Sequence, residues 1–110
     1  LSPGLIDAVR SEVPPLATVY SDHETSYRLA AQAPVYIAVA PPGHVANTVQ
    51  NRPFERYRDS RRFQRTGDLT IPQGYGADFL VVDRFRQRRE FELTGPYRDP
   101  RYVLYRLPPP

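Results

Sequence analysis

Four polar side chains stand directly behind short apolar runs, where an α/β protein places its chemistry. Asp22 and His23 follow Ala17–Tyr20, Asp83 closes Phe79–Asp83, and His44 lies just past Val35–Ala40 and the breaker Pro41-Pro42-Gly43. If those runs are parallel strands, all four residues share the carboxyl edge of one sheet, the edge at which open α/β sheets bind ligands. Two imidazoles with carboxylates have the donor types for a divalent metal or for proton transfer. Their spacing matches no established metal-ligand pattern, and no nucleophile is marked beside them. The plain alternative is four polar loop residues on the surface. Asp22, His23, His44 and Asp83 are therefore candidate ligand-binding residues, and no catalytic residue, metal ligand or cofactor is assigned.

A second chemistry resides in arginine. All fifteen basic residues are Arg, and the formal net charge is +3. Arg52, Arg56, Arg58, Arg61 and Arg62, with Arg65 beyond them, crowd one segment, and Arg84, Arg86, Arg88 and Arg89 crowd another. A guanidinium row can hold phosphate groups of a lipid-linked substrate or of lipid head groups. Its plain alternative is a solvated helix face paired internally with Glu55 and Asp59. Nucleic acid is not the expected partner, because the charge is modest and spread over several segments. The ending Arg101-Tyr102-Val103-Leu104-Tyr105-Arg106 only faintly echoes a base-stacking strand.

Other chemistries are excluded. The turn Val19–Ser26 lacks the glycines that let a backbone approach a pyrophosphate, which removes dinucleotide and P-loop readings. Asp22 and Glu24 also oppose an anion there, so helix capping is the expected role of that turn. There is no Cys, hence no disulfide framework and no thiolate zinc site. No apolar run approaches the ~20 residues of a membrane span.

The elements that must position these residues follow from periodicity. Residues 3–12 are predicted as a helix capped by Ser2, with Pro3 in its first turn and Leu5, Ile6 and Val9 on one face. Ala17–Tyr20 is a first strand. Ser21 and Glu24 form a capping box for a helix reaching about Gln32, with Tyr27, Ala30 and Ala31 inward. Val35–Ala40 reads as the clearest strand, apolar on both faces and so covered. Arg52–Thr66 is predicted helical, with Pro53 at its first position, Gly67 as its C-cap, and Phe54, Tyr57 and Phe63 turned to the core. Leu69–Tyr75 adds a weak helical turn, Phe79–Asp83 a third strand, residues 97–100 a turn, and Tyr102–Leu107 a last strand. The expected fold is α/β: a small Rossmann-like sheet of about four strands in the order 2-1-3-4, mainly parallel, with an antiparallel C-terminal edge strand and helices packed on the sheet. Residues 1–107 form one domain and 108–110 a Pro-rich tail. The start Leu1-Ser2-Pro3, a chain without Met and the terminal prolines lead to the expectation of a domain cut from a longer protein.

Several segments together carry a resemblance. They are Val19–Tyr27, the stretch Ala40-Pro41-Pro42-Gly43-His44-Val45, Gly76–Asp83, and Tyr97–Arg106. The chain resembles the soluble C-terminal domain of multi-spanning bacterial membrane proteins, actinobacterial in type, that are similar to C-type glycosyltransferases using polyprenyl-phosphate sugars. The resemblance spans most of residues 5–107. It implies a non-catalytic accessory or acceptor-binding domain at the extracytoplasmic face of the cell membrane. It also implies as partners the membrane-embedded part of the same chain and lipid head groups or cell-wall glycan. The catalytic acids of that superfamily lie near its first membrane spans, so none is carried over here. The alternatives are an arginine-rich module for an anionic partner, and a small enzyme using the sheet-edge residues.

Overall fold

The computed structural model describes residues 1–39 and 52–109. Helix α1 (Pro3–Glu12) begins as its sequence dictates: Ser2 is extended, and its hydroxyl accepts the Leu5 N–H. The helix ends before Pro14, with Val13 already extended. Strand β1 (Thr18–Tyr20) leads into α2 (His23–Gln32), and β2 (Tyr36–Ile37) follows. Helix α3 (Pro53–Thr66) is stopped by Gly67 at φ 69°. A left-handed residue at a helix end favours glycine. The short α4 (Thr70–Gly74) then leads to β3 (Phe79–Asp83), β4 (Tyr97–Arg98) and β5 (Tyr102–Arg106).

These strands form one sheet in the order β2-β1-β3-β5-β4. The expected order 2-1-3-4 is corrected in two respects. The C-terminal strand is β5, and it is not the edge, because β4 pairs outside it through Tyr97↔Leu104 and Arg98↔Val103. The segment 97–100, expected as a turn, thus opens with a strand. The sheet is also mixed rather than mainly parallel. The parallel ladders β1–β2 and β1–β3 each span two residue pairs, while the antiparallel β3–β5 ladder spans five, from Phe79↔Arg106 to Asp83↔Tyr102. Tyr102–Arg106 returns close beside β3, and such a return permits full antiparallel pairing.

Period-two alternation sorts the sheet residues into two cores. Val19, Phe79, Val81, Tyr102 and Leu104 face α1 and α2 and meet Leu5, Val9 and Leu29. Tyr20, Leu80, Val82, Val103 and Tyr105 face α3 and α4 and meet Phe63 and Ile71. All five residues of β3 are buried, as the apolar run Phe79–Val82 predicts for a strand covered on both sides.

The run Val35–Ala40 behaves differently. Its strand is two residues long and lies at the sheet edge, with Tyr36 58% exposed. Ala38 and Val39 instead turn into the α3-side core, and the Ala38 carbonyl accepts the Arg56 guanidinium at 3.1 Å. The inward face of α2 is also displaced from expectation. Thr25, Ser26 and Leu29 are buried, while Tyr27, Ala30 and Ala31 face out. The cap is Asp22 rather than Ser21: the Asp22 carboxylate accepts the Thr25 N–H at 2.9 Å. Ser21 is drawn inward and donates to the Val81 carbonyl at 2.8 Å. Of the three aromatics assigned to the core side of α3, Phe63 is fully buried, Tyr57 is half-buried and Phe54 is 57% exposed.

One clamp joins the chain's two ends. Asp99 accepts the Ser2 and Tyr97 hydroxyls at 2.6 Å each and the Arg101 and Tyr102 N–H groups at 2.7 Å each. Burial, the largest single influence, pushes the Asp99 carboxyl up. The four donated bonds together outweigh it and hold the carboxyl down at about 2. Gly4 is required beneath this clamp, since a Cβ there would lie 2.4 Å from the Tyr97 hydroxyl.

Candidate functional site

Three of the four residues singled out for ligand chemistry lie at the carboxyl edge of β1 and β3, and two of them, Asp22 and Asp83, are brought together there. Asp22 and His23 leave β1, and Asp83 ends the neighbouring β3. His44 lies outside the described residues. Asp22 and Asp83 are buried, at 4% and 2% exposure. Buried carboxylates need compensation, and here it comes from within the chain.

Asp83 receives a two-pronged bond from Arg101, Nε to Oδ1 at 3.2 Å and a terminal nitrogen to Oδ2 at 3.0 Å. Its Oδ1 also accepts the Phe85 N–H at 3.0 Å. Asp22 accepts the Thr25 N–H on Oδ1 and the Thr25 hydroxyl on Oδ2. Arg86 lies between the two acids, its Nε 3.7 Å from Asp22 and 3.5 Å from Asp83, and it also pairs with Glu24. The bonds that Arg101 donates to Asp83 raise its guanidinium above the usual arginine value. Each of the four Asp22 and Asp83 carboxylate oxygens therefore already accepts a hydrogen bond. His23 does not join them, because its ring packs edge-on against Tyr57 with centroids 4.8 Å apart. Among the described residues no group of three His, Asp or Glu is arranged to hold a metal ion.

The spacing of Asp22 and Asp83 behind two apolar runs was enough to place them at one edge. Their partners were not visible in the same way. Arg86 is three residues beyond Asp83, a short-range pattern that a turn brings round: the Arg86 and Gln87 N–H groups both bond the Asp83 carbonyl at 2.9 Å. Arg101 reaches Asp83 only through the β3–β5 register.

The arginine row on α3 has the opposite character. Arg56 turns inward, donates to Ala38 and stacks over the Tyr75 ring at 5.3 Å. Arg52 meets Glu55 and Arg62 meets Asp59, both at 3.7 Å. Arg58, Arg61 and Arg65 are exposed and make no ion pair among the described residues. With Glu55, Asp59 and Arg62 they line an open hollow of about 670 Å³. The predicted anion-binding set thus resolves into Arg58, Arg61 and Arg62 with Arg65 on the outer face, Arg52 at the helix start, and Arg56 committed to the interior. This hollow is separate from the carboxylate edge of the sheet.

The helix is held by its apolar underside. Phe63 meets Tyr20 edge-on at 5.5 Å and stacks on Phe91 at 5.9 Å. Beneath it the Tyr75 hydroxyl donates to Asp59 at 2.6 Å. Burial, followed by that bond, pushes the Tyr75 hydroxyl far above the ordinary tyrosine value. Asp59 is thereby shared between Tyr75 and Arg62, which leaves the outer face with excess positive charge.

No protein-family model matches this chain, and no curated protein or solved structure matches it either. The Rossmann-like label and the glycosyltransferase resemblance accordingly gain no support from relatives, and the molecule's own geometry carries the functional reading.

Proposed function

We propose that this chain is a non-catalytic accessory domain that meets an anionic partner through the outer face of α3. The supporting observation is the contrast in charge satisfaction: Asp22 and Asp83 are fully bonded, while Arg58, Arg61 and Arg65 have no ion pair among the described residues. Guanidinium groups on one rigid helix match phosphate oxygens in geometry and charge. In the wider form of this proposal the domain belongs to a multi-spanning, glycosyltransferase-like membrane protein. It stands on the extracytoplasmic side, beside the membrane part of its own chain, near lipid head groups or cell-wall glycan. A reading frame with many membrane-length apolar stretches ahead of Leu1 is the expected gene; one opening close to Leu1 removes that wider form.

The narrower proposal is tested on a column of immobilised inorganic polyphosphate. The 110-residue chain is expected to be retained and to elute with salt, because screened charges release. The triple substitution Arg58→Ser, Arg61→Ser, Arg65→Ser is expected to abolish retention. Equal retention of both proteins refutes the assignment to α3.

A further inference from the structure

Among the described residues Phe85 is the most exposed of the large apolar side chains, at 71%. It is nonetheless held in place from three directions. Its N–H donates to Asp83, which is buried. The Arg101 guanidinium packs over its ring at 4.8 Å, and the same guanidinium is fixed by its two bonds to Asp83. The turn beneath it is closed by the bonds from Arg86 and Gln87 to the Asp83 carbonyl. Gln87 is buried and donates to the Phe63 carbonyl of α3 at 3.2 Å, which anchors the turn to the core. An aromatic ring held outward on a buried support, rather than folded back, faces whatever meets this edge.

The charge around the ring is strongly one-sided. Arg84 and Arg88 flank it, and with Pro100 and Phe85 they line an open hollow of about 220 Å³. Arg88 is exposed and makes no ion pair among the described residues. Three acids near the turn are each divided between two arginines, and Asp22 shares Arg86 with Asp83. Glu24 meets Arg28 and Arg86, Asp83 meets Arg86 and Arg101, and Glu90 meets Arg84 and Arg98. The N-terminal part of α3 reaches the same edge, since its Tyr57 packs on His23 at the start of α2, and there Phe54 is also exposed. Aromatic rings beside guanidinium groups suit a bilayer interface, where the ring sits at head-group depth and the charge meets phosphate.

We propose that the Phe85 turn is an interfacial anchor that inserts its ring into the surface of a bilayer bearing anionic head groups, with Arg84 and Arg88 on the phosphates. This rests on the reading of the chain as an anion-binding accessory domain and names the surface as a lipid one. The chain has no Trp, so Phe85→Trp supplies a single reporter. On phosphatidylglycerol-containing vesicles its emission is expected to shift to the blue and to be quenched by brominated acyl chains, with neither effect on pure phosphatidylcholine. In co-sedimentation with the same vesicles, Phe85→Ser is expected to weaken partitioning roughly tenfold, the scale of burying one aromatic side chain. Arg88→Gln is expected to weaken it about fivefold, the scale of one basic residue at an anionic surface. Circular dichroism of both variants should match the parent, because the substituted side chains are exposed. Emission that stays at its aqueous wavelength on vesicles that carry the protein down overturns the anchor, as does unchanged partitioning of Phe85→Ser. Failure to bind vesicles with salt-sensitive polyphosphate retention intact overturns the anchor and leaves the α3 reading standing. Failure of both ends both.

Discussion

The two arginine clusters share a residue type and differ in almost everything else. In and beside the turn after β3, Arg86 and Arg101 close over buried carboxylates, and Arg84 shares Glu90 with Arg98. On α3, Arg58, Arg61 and Arg65 face outward over a hollow, with Glu55 and Asp59 engaged by Arg52 and Arg62. A guanidinium is structural when a buried acid has no other source of compensation. It is available to a partner when its helix is held by something else, here the apolar packing of Phe63. Stability should therefore depend on Arg86 and Arg101, and binding on the outward arginines Arg58, Arg61 and Arg65.

Arg101→Met removes the main counter-charge of a buried acid. Asp83 would then keep only Arg86 at 3.5 Å and the Phe85 N–H, so the largest loss of stability is expected here, read as a lower urea midpoint. Adding Asp83→Asn should recover much of it by removing the charge that needs compensation. A midpoint within experimental scatter of the parent would place Arg101 with the expendable arginines.

Asp99, by contrast, is a carboxylate held by neutral donors. Its carboxyl is lower in the fold, at about 2, than in an unfolded chain, near 4. Its contribution is thus fully present above about pH 4 and is lost as the pH falls toward about 2. Asp99 is only part-buried, so solvent screening reduces that contribution to on the order of 1 kcal/mol. In Asp99→Asn this part of the acid-induced loss should be missing from a series of urea melts. An unchanged acid limb assigns the loss to other carboxylates.

The junction between the clusters comes next. Arg89 donates to the Arg65 carbonyl, and a Cβ on Gly67 would lie 2.4 Å from the Arg89 Cδ. Gly67→Ala would meet both that side chain and a φ of 69°, at a cost of about 1–2 kcal/mol. The thermal midpoint should fall, and a second substitution, Arg89→Ala, should relieve the contact but not the backbone strain. A Gly67→Ala midpoint equal to the parent's would show that the junction yields freely.

The smallest effect belongs to α3 itself. Substituting Arg58, Arg61 and Arg65 with Ser should move stability only by the small helix-propensity difference, about 0.5 kcal/mol or less at each position. A much larger change in the urea midpoint would reveal that these side chains support the fold after all.

Legibility followed the range of the interaction. Ser2, Pro3 and Gly67 announced the ends of α1 and α3 because capping acts within a few residues. The run Phe79–Val82 announced a strand covered on both faces. The buried face of α2 was misjudged because it is partly polar, with Thr25 and Ser26 inside and Tyr27 outside. Strand β4 leaves no mark in the sequence because two residues carry no period. Val35–Ala40 was overextended because an apolar run does not reveal whether its end continues the ladder or folds under a helix.

What the order of residues decided alone was local: where helices start and stop, which runs are strands, and that Asp22 and Asp83 stand at the ends of two such runs. Tertiary structure decided the electrostatics. Arg101 meets Asp83 only because β5 returns antiparallel beside β3, and Arg86 spans Asp22 and Asp83 only because β1 and β3 are adjacent. Charge compensation acts through space over a few ångströms, so the same arginine can brace a buried acid or face a partner according to which strands the fold sets side by side.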